Sequence, residues 1–293
     1  MITVFTPTYN RAYRLKRLYD SLVSQTNKDF EWIVIDDGST DDTKSLFDIW
    51  GDNDNGFPII YKLVPNGGKH RAINKAVYMA SSDAFFIVDS DDWLTKDAIG
   101  KAEKWFKQIE DNEDFAGVSG LRSDINGNPI GGYGSFQGEY IDCTNLERHK
   151  YNLLDDKAEV YKTKILKQYP FPEYEGETFV PEPVVWDHIG RDGFKIRWFN
   201  EIIYICEYLE DGLTASEDRK FVDNPKGFLA YLSMLETIHD PREVDVFRLQ
   251  FYNNIIKTYG MDRALEVINI AEEMKGKKQG EHNEEGKHNS TCI

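Results

Sequence analysis

The sequence predicts an α/β fold, a mainly parallel sheet covered on both faces by helices and followed by a helical extension. Three observations carry this. Short, continuous apolar runs alternate with stretches of helical spacing through roughly the first hundred residues, as expected of buried parallel strands joined by crossover helices. Each of those runs stops in a polar or glycine-rich cluster. From 224 to 274 the apolar positions recur at helical intervals instead.

In chain order, 2–6 reads as a strand and 13–24 as an amphipathic helix with Leu15, Leu18, Leu22 and Val23 on one face. A second strand, 32–35, ends in Asp36-Asp37-Gly38-Ser39-Thr40, a turn leading into a helix over 42–50. A third strand covers 59–64, after which Asn66-Gly67-Gly68 turns into a helix with Ala72, Ile73, Ala76, Val77 and Ala80 inside. The fourth, 85–88, runs into Asp89-Ser90-Asp91-Asp92. Ligands of such sheets bind beyond the carboxyl ends of the strands. Tyr9, Asp36-Asp37, Gly67-Gly68-Lys69 and the Asp89 run all fall there and predict one site. The middle of the chain offers strands at 115–121, 158–161, 195–199 and 202–209, a turn at Asn126-Gly127-Asn128-Pro129 and a helix over 183–191. Further on, Leu229, Leu232, Leu235, Phe247, Phe251 and Ile255 are the expected buried positions.

A chain of 293 residues can bury one large core or two modest ones. Its formal charge of −16, with no basic stripe, speaks against nucleic acid as partner. It lacks a long uncharged apolar run, and its first strand starts at residue 2, which predicts neither membrane span nor signal peptide. The widely spaced Cys143, Cys206 and Cys292 show no metal spacing and suit a reducing cytoplasm. So acidic a chain can hold an anionic ligand only through local positive charge: a metal, a Lys or Arg, or a helix N-terminus.

Asp89, Asp91 and Asp92 crowd into four residues and repel one another unless a cation neutralises them. Hard carboxylate oxygens predict a divalent metal that also grips a phosphate-bearing ligand. The plainer alternative is an acidic turn in which one Asp caps the next helix. Gly67-Gly68-Lys69-His70-Arg71 opens a helix with backbone N–H groups and cations suited to a diphosphate, through Lys69 or Arg71, although its spacing is not that of a P-loop. Tyr9 can stack on a base face or pack as a half-buried core tyrosine. Asp37 can accept from a base N–H, while Asp36 reads equally as a satisfied turn carboxylate.

Phe5-Thr6-Pro7-Thr8-Tyr9-Asn10-Arg11, Val34-Ile35-Asp36-Asp37-Gly38-Ser39-Thr40-Asp41 and Val88-Asp89-Ser90-Asp91-Asp92, in this order and at these intervals, resemble the inverting family 2 glycosyltransferases of the GT-A fold. The resemblance covers residues 1 to about 215. It implies a nucleotide-diphospho-sugar transferase with a mixed, mainly parallel sheet, a UDP-sugar donor and a Mn2+ or Mg2+ ion. The acceptor would be a hydroxyl of a glycan or lipid-linked sugar, in surface-polysaccharide biosynthesis, with peripheral contact at the inner face of the cell membrane. It implies Pro7, Tyr9, Arg11, Asp37, Gly68, Lys69, Arg71 and Asp89 at the nucleotide. Asp89, Asp91 and Asp92 fall at the metal, with Asp91 as main ligand, Asp89 near ribose or metal, and Asp92 behind them or capping a helix. The family's Gly-x-x-x-Ala-Arg-Asn pattern stands here as Gly68-Lys69-His70-Arg71-Ala72-Ile73-Asn74. The stretch 208–214 resembles its closing segment, a loop able to fold over the donor and exclude water. The implied organisation is a catalytic domain over 1–222, with a nucleotide-binding half (1–112) and an acceptor-side half (113–222), a helical region over 223–275 and a disordered tail over 276–293.

Inverting transfer needs a general base for the acceptor hydroxyl. The resemblance implies an Asp or Glu at a helix start about ninety residues past the Asp cluster, where Glu182 stands between Pro181 and Pro183. Prolines on both sides make it a rigidly placed carboxylate. Glu175, Glu177 and Asp187 are its rivals, and a helix-start carboxylate stabilised by the dipole is the plainer reading. His188 could add a metal ligand, though ordinary helical packing explains it better. Two other functions fit less well. A sugar-1-phosphate nucleotidyltransferase would want a glycine-rich loop straight after the first strand, where none stands. A nucleotide-sugar-binding protein without turnover would not need the three acids together with Glu182.

Overall fold

The computed structural model describes residues 1–207 and 217–288. The expected closing segment, 208–214, lies outside them. The chain divides into two units, one formed by Met1–Glu173 with Glu182–Gly212, the other by Tyr174–Pro181 with Leu213–Ile293. The boundary thus falls before the expected 222, and an eight-residue segment ahead of Glu182 counts with the C-terminal unit.

The first unit contains β1 (Ile2–Thr8), α1 (Ala12–Val23), β2 (Phe30–Asp36), α2 (Thr43–Gly51), β3 (Ile59–Leu63), α3 (Lys69–Met79), β4 (Ala84–Ile87), β5 (Trp93–Leu94), α4 (Ala98–Phe106), β6 (Phe115–Ser123), β7 (Tyr140–Thr144), a 3-10 helix (Asn145–Tyr151), β8 (Lys157–Lys162), α5 (Thr163–Gln168), α6 (Pro183–Arg191) and β9 (Lys195–Ile205). Its nine strands form one mixed sheet in the order β3-β2-β1-β4-β8-β6-β9-β5, with β7 paired to β9. Strands β1 to β4 are parallel, whereas β8 runs antiparallel to both β4 and β6.

Register explains the site's location. Thr8 lies level with Asp36, and Asp36 with Leu63, so three strands stop on one line and release their loops side by side. One face of the sheet buries Val4, Trp32, Val34 and Phe86 under Leu15, Leu18 and Leu22 of α1, Phe47 and Trp50 of α2, and Ala98, Ala102 and Trp105 of α4. Each fully buried large apolar side chain contributes about 1.5–3 kcal/mol. Alternation along the strands turns Phe5, Ile33, Ile35 and Phe85 to the other face.

Several elements differ from expectation. The two strands expected at 195–199 and 202–209 form one strand, β9, whose pairing with β6 shifts register three times; bulges of this kind disguise continuity. The two-residue β5 and the half-exposed β7 are too short or too mixed to show a period. α4, absent from the expected elements, nonetheless has the spacing of a helix, with Ala98, Ile99, Ala102, Trp105 and Phe106 buried.

The second unit contains α7 (Glu217–Asp223), α8 (Pro225–Leu235), α9 (Pro241–Tyr259) and α10 (Met261–His288). Phe228, Leu229, Leu232, Val244, Phe251, Ile255 and Val267 are in its core. Phe247, expected inside, is 54% exposed; it lies roughly 60° around α9 from the line through Val244, Phe251 and Ile255. The stretch from 276, expected to be disordered, continues α10 as far as His288. Its Glu, Lys and Gln residues are good helix formers, and a helix already nucleated extends at small cost. Among the described residues no helix is long and apolar enough to cross a membrane.

Candidate active site

The loops after β1 and β2 are stitched together by their own polar residues. Asn10 takes a left-handed conformation (φ 51°), and its backbone N–H donates to Ser39 Oγ at 2.8 Å. In return its side-chain oxygen accepts from the Thr40 N–H at 2.8 Å. Asp41 accepts from the Ala12 N–H at 3.0 Å, giving the first turn of α1 the cap that Arg11 cannot supply. This leaves Tyr9 standing 49% exposed at the end of β1. Pro7 lies level with Ile35 and is half-exposed. Arg11 donates to the Tyr13 hydroxyl at 3.0 Å, and its charge reaches Asp91.

Asp36 is a turn carboxylate satisfied by the Ser39 N–H (2.8 Å) and the Tyr61 hydroxyl (2.6 Å). Asp37 is built into the glycine turn instead. Its two oxygens accept from the Gly67 and Gly68 N–H groups, each at 2.8 Å. Burial, more than its neighbours, pushes its carboxyl above the usual range. Each oxygen keeps a second lone pair. Gly68, at φ 94°, begins α3, and a Cβ on Gly38 would press on the Asn66 backbone nitrogen at 3.0 Å. These two positions need glycine.

α3 places Lys69 between two carboxylates. Its ammonium lies 2.7 Å from Asp89 Oδ1 and 2.8 Å from Glu182 Oε1, bridging the end of β4 and the start of α6. Burial alone would lower its pKa, but Asp89 and Glu182 outweigh that and raise it. Arg122 of β6 stands 3.9 Å from the other Asp89 oxygen, its guanidinium over the Tyr204 ring at 4.3 Å. Against the effect of burial, these two cations hold Asp89 below the usual carboxylate range. Arg71 turns back, donating to the Gly67 carbonyl at 2.7 Å and pairing with Glu173 at 3.4 Å. The expected diphosphate cations are therefore unequal: Lys69 lies between carboxylates and Arg71 braces the turn.

The Asp cluster splits three ways. Asp92 is buried and accepts from the Tyr204 hydroxyl at 2.8 Å, while that same hydroxyl accepts from the Asp89 N–H at 2.9 Å. Burial first, then Asp89 and Asp91, push Asp92 up to about 7. Asp91 accepts no hydrogen bond from another described residue, and burial and Asp89 raise its pKa. Among the described residues no group of three or more His, Cys, Asp or Glu side chains converges as a ready-made metal cage. A partly exposed carboxylate that accepts only from its own backbone N–H still fits a hard dication of the kind held by one or two carboxylates, with water and phosphate oxygens completing the shell. Asp91 is the residue so disposed, with Asp89 beside it.

Glu182 caps α6, ahead of Pro183, and its carbonyl accepts from Val185 and Trp186. Its Oε2 accepts from the Trp186 indole N–H at 3.1 Å. Two of the three rivals are otherwise engaged. Glu177, in the other unit, accepts from the Lys226 and Gly227 N–H groups, both at 2.9 Å, and so caps α8. Glu177→Ala is expected to cost about 1–2 kcal/mol of stability by thermal denaturation and to leave turnover within about twofold; a collapse of turnover at unchanged stability would make it a base candidate again. Glu175 is exposed in that same unit. Asp187 accepts from Asn145 at 2.6 Å. His188 lies 3.6 Å from Asp192, ordinary i,i+4 packing.

Sequence reasoning missed Asn10, Arg122, Tyr204, Trp186 and Asn74. Asn74 holds the Phe171 backbone through two hydrogen bonds of 2.9 Å. Asn10 and Asn74 stand inside the quoted patterns, and Trp186 lies four residues past Glu182 on the expected helix; Arg122 and Tyr204 carried no local signal.

Four parallel strands continuing into a second half of mixed pairing, with acids just past the end of the fourth strand, are the features of the GT-A fold. The fold is shared with solved structures. S. aureus TarS 1-349 in complex with UDP-GlcNAc superposes with a TM-score of 0.60 at 20% identity, over 88% of this chain and 73% of that one. The mannosyltransferase PcManGT from Pyrobaculum calidifontis, in complex with GDP-Man and Mn2+, does so with a TM-score of 0.57 at 18% identity, over 92% and 74%. The chain belongs to glycosyltransferase family 2, whose model, described as glycosyl transferase family 2, matches residues 3–169. A curated relative, the abequosyltransferase RfbV of Salmonella typhimurium (strain LT2), is 39% identical over 102 residues, 34% of this chain. That match spans only 30% of RfbV's length.

Proposed function

We propose that this chain is a metal-dependent inverting glycosyltransferase. It would move a hexosyl or N-acetylhexosaminyl group from a UDP-sugar to a hydroxyl of a glycan or lipid-linked acceptor, in surface-polysaccharide assembly. One observation carries the reading: Lys69 joins Asp89 to Glu182 at 2.7 and 2.8 Å, so the expected donor-site carboxylate and the candidate base meet at one ammonium. The UDP-GlcNAc bound by TarS and the Mn2+ bound by PcManGT, on the same fold, support the donor class and the ion. The setting that goes with this reading is the cytoplasm, with peripheral contact at the inner membrane face.

In this reading Tyr9 stacks on the base, while Asp37 holds the Gly67-Gly68 turn against the donor and keeps lone pairs for a base N–H. Glu182 takes the proton of the acceptor hydroxyl as that oxygen attacks the anomeric carbon. The bond from that carbon to the diphosphate oxygen breaks on the opposite face, and UDP leaves with the electron pair. Asp91, with Asp89 beside it and Asp92 behind, would hold the dication, which when bound supplies positive charge for the leaving diphosphate.

The test is a thermal-shift screen of UDP-glucose, UDP-galactose, UDP-GlcNAc and GDP-mannose with and without Mn2+, followed by assay of UDP release. Pyrophosphate release from a nucleoside triphosphate would place the chain among nucleotidyltransferases, and binding without turnover among non-catalytic binders. Asp91→Ala is expected to remove the part of the UDP-sugar shift that depends on Mn2+. An undiminished Mn2+ effect would take the metal away from this residue.

A further inference from the structure

We infer that Trp186 is the positioning residue that aims the Glu182 carboxylate, an inference that rests on the reading of Glu182 as base. Trp186 lies one turn along α6 and donates its indole N–H to Oε2 at 3.1 Å, while Lys69 holds Oε1 at 2.8 Å. The indole nitrogen is a donor only, so the contact has a single direction. The ring has little freedom to move. It stacks on Tyr161 of β8, with centroids 4.7 Å apart and planes at 15°, and meets Phe171 edge-on at 5.5 Å and 87°. Tyr161 and Phe171 are both buried, and Asn74 of α3 grips the Phe171 backbone from two sides. The N–H direction is thus set by β8 and α3, and α3 also carries Lys69.

Two donors from two helices hold the two carboxylate oxygens and leave a second lone pair on each. The terminal torsion of a glutamate is otherwise broad. Fixing it matters because a displacement of about 1 Å at a reacting group costs on the order of 10²-fold in rate. A ring chosen only for packing on Tyr161 could be phenylalanine; the nitrogen is what the carboxylate requires.

Trp186→Phe keeps the stack and removes the N–H. The assay is UDP release from UDP-GlcNAc, UDP-glucose or UDP-galactose with Mn2+, water serving as nucleophile. The kcat is expected to fall about tenfold to a hundredfold, with donor KM within about twofold. In the Glu182→Gln background the same change is expected to cost nothing further. Should Trp186→Phe fold poorly, 3-benzothienylalanine at this position replaces N–H by sulfur at nearly constant shape and gives the same comparison. An unchanged kcat in a folded variant, or an added loss on top of Glu182→Gln, overturns the inference. A fully active Glu182→Gln enzyme would instead overturn the base reading beneath it.

Discussion

Glu182→Gln is expected to bind a UDP-sugar as the wild type does and to lose turnover by about a hundredfold or more. The amide is nearly the same shape but cannot take a proton from an incoming hydroxyl. It also mismatches its surroundings. Both carboxylate oxygens face donors, the Lys69 ammonium and the Trp186 N–H, so an amide NH2 must oppose one of them. Turnover therefore falls for two reasons, loss of the proton acceptor and loss of one anchor. On the proposed reading the donor is held mainly by the loops after β1, β2 and β4, so its affinity is expected to be retained. Calorimetric titration of a UDP-sugar with Mn2+, beside the rate of UDP release, separates the two. A near-normal rate would hand the base role to Asp187, whose carboxylate, held by Asn145, is on the same helix.

That these loop residues gather along one edge of the sheet was readable from the sequence because each part of the pattern is local. A parallel strand must end in a loop, the loops of successive βα units emerge on one side, and the polar residues in them sit where ligands bind. That reasoning brought together Tyr9, Asp37, Gly68, Lys69 and Asp89. It did not reveal what each side chain holds. Asp37 reads as a ligand for a base, yet its oxygens also fasten a turn thirty residues downstream. Asp92 reads as one acid of three, yet it is spoken for by Tyr204, which lies 112 residues away on a bulged strand of irregular register. Partners drawn from β6, β8 and β9 leave no local pattern, because only the mixed pairing of the second half of the sheet brings them to these residues. Lys69 is the clearest case. A lysine after two glycines at a helix start suggests phosphate, and only the folded chain puts Asp89 and Glu182 against it.

Lys69→Met should therefore damage both the site and its stability. The substitution keeps a long, flexible apolar stem of similar reach and deletes the charge. Asp89 would be left with Arg122 at 3.9 Å, and Glu182 with the Trp186 N–H alone. Removing one partner of a well-buried ion pair costs about 3–5 kcal/mol. Here Asp89 is 25% and Glu182 37% exposed, so solvent screening reduces the expected loss to about 1–3 kcal/mol. That corresponds to a fall of about 3–10 °C in the thermal midpoint of the catalytic unit. With Glu182 in its proposed role as base, turnover should fall more than tenfold, since that carboxylate loses the anchor on Oε1. The stability loss should also depend on pH in a defined direction. Asp89 has a depressed pKa in the folded protein, so its contribution is present above the unfolded value and disappears as pH falls through the folded one. The gap in midpoint between wild type and Lys69→Met should be full at neutral pH and close progressively below about pH 4. Arginine is a poor rescue, because its planar fork cannot place one nitrogen between two carboxylates as an ammonium does. Equal midpoints and equal rates for wild type and Lys69→Met at pH 7 would mean that the lysine is only a solvated charge at the start of α3, and that the two carboxylates do not depend on it.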